Sequence, residues 1–455
     1  MLSNSIWSLY NDKQGKLWIG TATKGISVID EKYSKFESFQ KNIFDKTSLT
    51  DNDVTGFAED SEGNVWIATD GGGICKFDTK KKHITKTILN SEDVNLLVNN
   101  AVQSVLCDTY DNIWVGTWAG GIDRLTKNGR RIRNYKLESE EGRGNNNILV
   151  LFAGVNETIW AGTAGSGLFR YDKIEDEFRQ VVCMDQTDIL TPSAFVSSML
   201  VDMDGRFWIG TLNGLVSLTF KDNGNSECIE LVQSDQNEAL SSRMIDILFE
   251  DSSGRLWFGT SDYGLILFNE FDTSFITFNK QNGLPGNSIK GILEDEEGYL
   301  WVTTSKGLCR FNYDSLSFTI FNREDGLNSN EFYIRSCLQT KNGLFFLGGE
   351  NGFNVFYPKE IKTNDFVPPV YLTSLKINNV SPEIGAKNSP LNKHIGKTSE
   401  IILSHKQSSF TIEFVALNYT RSARNQFSCL SLYKDHIELL SKLYLFPSST
   451  WYISK

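Results

Sequence analysis

Proline is scarce in this chain, with 8 in 455 residues, and histidine is scarcer, with 4. The four, His83, His394, His405 and His436, form no HExxH motif and no close pair, so a metalloenzyme finds little support. No Gly-x-Ser-x-Gly elbow and no phosphate-binding P-loop occur. The 7 cysteines, at 75, 107, 183, 228, 309, 337 and 429, are odd in number and lack CxxC spacing. They read as buried free thiols rather than a disulfide framework or a zinc site. Basic charge is also short. Lys plus Arg is 45 against 56 Asp plus Glu, a net charge of −11. A phosphate backbone or an anionic membrane surface needs a basic face, so neither is an expected partner, whereas a neutral ligand is allowed. The longest apolar run, residues 148–155, has 8 residues, against about 20 for a spanning helix. The opening residues lack the basic and apolar regions of a signal peptide. No membrane segment, signal peptide, metal or cofactor is therefore expected in this chain.

What is plentiful is aromatic: 30 Phe, 15 Tyr and 10 Trp, with 37 Gly. They recur with a period. Asp12-Lys13-Gln14-Gly15-Lys16-Leu17-Trp18-Ile19-Gly20-Thr21 returns as Asp60-Ser61-Glu62-Gly63-Asn64-Val65-Trp66-Ile67-Ala68-Thr69. Further copies centre on Trp114, Trp160, Trp208, Trp257 and Trp301, and Phe346 takes the Trp place in an eighth. The successive spacings are 48, 48, 46, 48, 49, 44 and 45.

Each unit has one grammar. An apolar residue six positions before the Asp position (Ile6, Val54, Val102, Ile148, Val196, Ile245, Ile289) starts an alternating, strand-like run. An Asp-x-x-Gly turn follows, then the short Trp strand, a tight Gly, a third strand and a weaker fourth. In the first unit that fourth strand is expected at Phe36-Glu37-Ser38-Phe39. Four antiparallel strands in about 40–50 residues make one blade of a β-propeller, so the fold class is all-β. The repeated aromatics, Trp18 through Trp301 and Phe346, are expected to pack between blades, and the Gly-Thr after them to allow close approach of strands. An Asn two positions before the first strand (Asn4, Asn52, Asn100, Asn146, Asn287) is expected to hold the turn between blades. These residues read as scaffold.

The grammar stops near Pro358. A proline-bearing linker (365–371) leads to strand-like stretches at 370–377, 400–403 and 409–419, the start of a small all-β domain. From about Gln426 the pattern changes, and residues 430–444 read as a weak helix.

The Leu-Trp-Ile-Gly-Thr…Gly-Leu unit resembles the two-component regulator propeller repeat. Residues 351–358 followed by 368–377 resemble the passage into a Y_Y_Y domain, and 409–419 resemble the start of its core. The resemblance covers nearly all of the chain up to about residue 425. It implies the periplasmic sensor region of a hybrid two-component system, in which fourteen repeats form two seven-bladed rings. A Y_Y_Y β-sandwich then leads to a membrane helix and a histidine kinase. Such sensors bind oligosaccharides and act as dimers. This chain departs from the pattern in having eight repeats, no membrane helix and no kinase histidine box. The expected division is residues 1–49 as a first repeat left over from a preceding ring, 50–360 as the propeller, 361–425 as an incomplete Y_Y_Y β-sandwich, and 426–455 as a frameshifted or truncated tail. A ring of eight blades is the alternative to seven.

Binding is expected in the loops joining second to third strands, which vary while the framework does not. Trp118 and Tyr263 stand out there, since a blade needs no aromatic at such a position. Aromatic faces stack on sugar rings, and carboxylates and amides exchange hydrogen bonds with hydroxyls. Asp70, Trp118, Asn213, Asp262 and Tyr263 are therefore the candidate residues for an oligosaccharide site. Trp118 and Tyr263 as mere covers of the channel mouth are the plainer reading. An interaction scaffold and a propeller lyase or glycoside hydrolase are the competing functions. The hydrolase needs an acid/base pair assembled from distant loops.

Overall fold

Seven of the Trp-type units fold as four-stranded antiparallel sheets. The structure, a computed structural model, describes residues 5–12, 17–29, 36–90, 96–138, 144, 146–181, 194–220, 226–230, 244–269, 274–361, 370–387, 389–398, 400–403, 407, 409–416, 440–445 and 449–454. It divides into one unit of Lys32–Lys362 and another of Met1–Glu31 with Thr363–Lys455.

In the larger unit the innermost strands are Val54–Glu59, Val102–Cys107, Ile148–Ala153, Val196–Val201, Ile245–Glu250, Ile289–Glu294 and Phe332–Gln339. They define blades one to seven. Each innermost strand packs beside the next, and that of blade seven packs beside that of blade one. The ring therefore has seven blades. Its closure differs from the sequence expectation. Glu37–Phe39 does not complete the first repeat; it is the outer strand of blade seven, paired as Phe353↔Phe39, Asn354↔Ser38 and Val355↔Glu37. The larger unit accordingly starts at Lys32 rather than 50. The physical reason is the sheet edge: without this strand, Gly352–Phe356 would leave a row of unpaired backbone groups. Phe39 then stacks on Phe353 at 5.0 Å and meets Phe77 of blade one at 4.9 Å.

The repeated aromatics fill the wedge between one blade and the next. Trp66 packs with Val102, Val105 and Val115 of blade two, Trp257 with Ile289 and Val302 of blade six, and Phe346 with Val54 and Ile67 of blade one. Trp66, Trp114, Trp208, Trp257 and Trp301 are fully buried. In blades two to five and seven a Gly two residues after the aromatic makes the approach possible: a Cβ on Gly259 would lie 2.7 Å from Ile289.

The turn aspartates do more than cap turns. One oxygen of Asp251 accepts the backbone N–H groups of Ser253 and Arg255, at 3.0 Å each, and the other accepts the indole N–H of Trp257 at 2.8 Å. The same indole bond joins Trp114 to Asp108, Trp208 to Asp202 and Trp301 to Asp295. In blade one, Lys76 takes the Asp60 oxygen at 2.8 Å, and the buried Trp66 indole N–H has no hydrogen-bond partner among the described residues.

In the smaller unit the first repeat is a three-stranded sheet, Ile6–Asn11, Leu17–Thr21 and Ile26–Ile29. Val370–Ile377 pairs with Phe410–Ala416, and Glu400–Ile402 joins Ser449–Ser454 and Leu440–Leu445 in a second small sheet. The helix expected over 430–444 is not formed in its described part, where Leu440–Leu445 is a strand. So short a segment gains more from pairing with Ser449–Ser454 than from an isolated helical turn. Residues 430–439, like much of the linker at 365–371, lie outside the described residues.

Candidate ligand-binding face

A four-stranded meander places its second-to-third loops and its blade-to-blade connections on one face. Five candidate residues share that face, on blades one (Asp70), two (Trp118), four (Asn213) and five (Asp262, Tyr263). Threonine closes the loop in blades one to six. Its hydroxyl donates to the glycine carbonyl at the loop's end, as Thr117 to Gly121 at 3.0 Å and Thr260 to Gly264 at 2.9 Å. In blades four and five the same hydroxyl accepts the N–H of Asn213 and of Tyr263. The loop backbone is fixed from below, leaving the side chains to project.

All five candidates are solvent-facing, with Trp118 at 45% exposure and Tyr263 at 41%. For two large aromatics that is a high value, and an exposed aromatic is a residue type that stacks on flat ligands. Trp118 is held through its backbone: its N–H donates to Ala101 and its carbonyl accepts the amide of Asn99. The recurrent asparagines hold the connections between blades. Asn52, Asn146 and Asn287 accept the N–H groups of Lys41, Leu137 and Lys280.

The electrostatics of the mouth are acidic where blades seven and one meet. Burial raises the Asp70 carboxyl above the usual range, Gln103 opposes this by hydrogen bonding, and Asp53 and Asp51 raise it further. Tyr333 donates its hydroxyl to Asp53 at 2.9 Å. Glu350 is raised by sharing a hydrogen bond with Glu331. Such an edge is rich in acceptors and suits a ligand that brings hydroxyl donors.

Three residues of the channel wall were not singled out by sequence: Gln103, Asp246 and Arg335. The first two occupy the second position of an innermost strand, where the pairing register slips by a residue. Asp246 is buried and accepts the Ser261 hydroxyl, directly before Asp262 and Tyr263. Its other oxygen has no partner among the described residues. Burial raises its pKa, and the Ser261 hydrogen bond and the charges of Arg335 and Lys290 pull it back. Arg335 lies in the irregular stretch between Phe332 and Cys337, at φ 63. Its guanidinium reaches across the channel to the carbonyls of Leu149 (3.0 Å) and Ser197 in blades three and four. Burial brings its pKa down to about 10, against the charge of Asp246. The sequence signal was there, as a polar residue of changing identity directly after the apolar strand start: Thr55, Gln103, Ser197, Asp246, Lys290.

Among the described residues no group of three or more His, Cys, Asp or Glu could hold a metal. Cys75, Cys107, Cys309 and Cys337 are free thiols, and burial raises the thiols of Cys107, Cys309 and Cys337. No helix among the described residues is long and apolar enough to cross a membrane.

Comparison with known proteins gives a consistent picture. The two-component regulator propeller family matches residues 1–23, 48–71, 96–119, 191–213, 239–262 and 283–306. The chain is 30% identical over 276 residues to Histidine kinase P4 of Formosa agariphila; the match spans 59% of this chain and 20% of that protein. Among solved structures, the extracellular domain of a hybrid two-component system from B. thetaiotaomicron superposes with a TM-score of 0.73 at 24% identity, covering 100% of this chain and 62% of that one. The virginiamycin B lyase of Staphylococcus aureus shares the propeller fold, with a TM-score of 0.51 at 13% identity, over 70% of this chain and 98% of that one.

Proposed function

Since this chain is built of two-component regulator propeller repeats, we propose that it is the ligand-sensing, periplasmic region of a hybrid two-component sensor. Its ligand is an oligosaccharide, bound on the loop face of the seven-bladed ring. The signal passes through the C-terminal β segment to a histidine kinase that is not part of this sequence, in a sensor that works as a homodimer. A ligand can signal only by binding one arrangement of the sensor better than another.

The observation that carries this reading is the exposure of Trp118 and Tyr263 on loops whose backbones are pinned. In this scheme the two rings stack on sugar faces. Asp70, Asn213 and Asp262 exchange hydrogen bonds with hydroxyls. The test is a screen of purified protein against an oligosaccharide array, followed by titration of any hit with Trp118→Ala. The variant is expected to lose binding while its Tm falls by no more than a few degrees. Unchanged affinity in the variant overturns the assignment of this face.

A further inference from the structure

The innermost strand of blade seven departs from the pattern of the other six. In blades one to six the pairing register slips once, a step of two residues against one on the partner strand. In blade seven Phe332 faces Gly349 and Cys337 faces Leu347, a step of five residues against two. Bulges re-aim side chains and gather beside functional sites. This one holds Arg335 in the left-handed region, at φ 63, a conformation that a long side chain keeps only where its surroundings impose it.

The guanidinium so placed bonds to the carbonyls of Leu149 and Ser197, the second residues of the innermost strands of blades three and four. The second residue of blade five is Asp246. The Ser197 hydroxyl donates to the carbonyl of Ile245, so Asp246 is the next acceptor round the throat. Asp246 is buried, the Ser261 hydroxyl donates to one of its oxygens, and the other has no partner among the described residues. Arg335 and Lys290 are the cations that act on it, and Asp262 is an anion that does so.

We propose that Arg335 is a two-position latch that responds to the loop face. In the position described, Ser261 holds Asp246, and Arg335 ties blades three and four to blade seven. A ligand that engages the loop of residues 260–264 draws Ser261 away, and Asp246 loses that donor. A buried carboxylate left short of donors is unstable, and a guanidinium is the strongest partner within the throat. Arg335 then turns one blade round to Asp246, gives up two neutral carbonyls, and moves the bulge with it. Blade seven is also where the chain enters and leaves the ring. Its outer strand Glu37–Phe39 is the first strand of the larger unit, and its third strand Gly352–Phe356 is the last. The latch thus carries occupancy of the loops to the blade that leads into the C-terminal β segment. It rests on the loop face being the binding face, with Ser261 and Arg335 as positioning residues.

The test uses no ligand, so its failure is separate from a failure of the oligosaccharide reading. The full chain is prepared with isotopically labelled arginine, and the Nε–H resonance of Arg335 is identified as the one missing from Arg335→Lys. Ser261→Ala removes the donor to Asp246 and is expected to shift that resonance. Ser261→Thr keeps a hydroxyl and should leave it at the wild-type position. Asp246→Ala added to Ser261→Ala should bring it back, whereas Lys290→Gln added to Ser261→Ala should not. The other arginine resonances report in each variant that the chain is folded. An Arg335 resonance that stays in place in Ser261→Ala overturns the proposal. So does a shift that persists once the Asp246 carboxylate is gone.

Discussion

Arg335 of blade seven donates a guanidinium N–H to the carbonyl of Leu149 in blade three, 3.0 Å away on the far side of the channel. A second N–H reaches Ser197 of blade four. These bonds tie together blades that share no sheet and no seam. They also place a cation in the channel wall, within the influence of Asp246.

Arg335→Met should therefore destabilise the ring even though no sheet hydrogen bond is touched. Two carbonyls lose their donor, for an expected cost of about 1–3 kcal/mol. Urea unfolding would show it as a lower midpoint at constant slope. A midpoint equal to that of the wild-type protein would mean that the strut contributes nothing.

The tryptophans should not be equivalent. Trp257→Phe gives up a bond to Asp251 and leaves that buried carboxylate short of a donor. Trp66→Phe removes an indole N–H that has no hydrogen-bond partner among the described residues. The first should cost roughly 1 kcal/mol more than the second, a gap to be read from parallel thermal melts. Equal losses would show that the indole bond carries no weight.

Two carboxylates should titrate with opposite signs. Asp246 has a raised native pKa, chiefly through burial, so its ionisation removes stability as the pH rises past its unfolded value. Asp246→Asn should then gain stability over the wild-type protein at pH 8 and lose the advantage near about pH 4. Asp176 is the reverse. Burial would raise it, but the hydroxyls of Tyr171 and Tyr135 and the guanidinium of Arg133 outweigh that and lower its pKa. Its stabilisation is present above the unfolded value and fades as the pH falls through the native one. Asp176→Asn should be destabilised at pH 7 and approach the wild-type protein below about pH 4. Melting curves across pH for both variants provide the check.

The ring should survive removal of what precedes it. A chain begun at Lys32 retains the closing strand and should melt cooperatively. One begun at Gln40 lacks Glu37–Phe39 and should lose cooperativity, with the edge of Gly352–Phe356 laid open. Gel filtration would show the shorter chain as aggregated. A monomer of unchanged Tm would refute the closure as described.

Much of this architecture could be read from spacing alone, because a blade is a local object. Asp, Gly, Trp, Gly and Thr lie within ten residues, and the eight aromatics announce themselves by period. The closing strand could not be read so. Phe36-Glu37-Ser38-Phe39 looks like the fourth strand of its own repeat, and only ring closure gives it to a partner more than 300 residues later. The exposed aromatics Trp118 and Tyr263 were visible as residues a blade does not need. Asp246 and Arg335 were not, because their importance comes from facing a channel that no single repeat contains.

Asn354 donates to Ser38 across a sequence separation of 316 residues. During synthesis the strand holding Ser38 emerges before every other strand of the ring, and its partner with the last blade. Six finished blades must then wait with an unsealed gap until blade seven emerges, since each earlier seam can form as soon as its own two blades exist. Contacts this distant in sequence are the slow ones. The ring's final step is therefore a single late event at one edge, and any factor that shields that edge on the ribosome would govern the yield of closed protein.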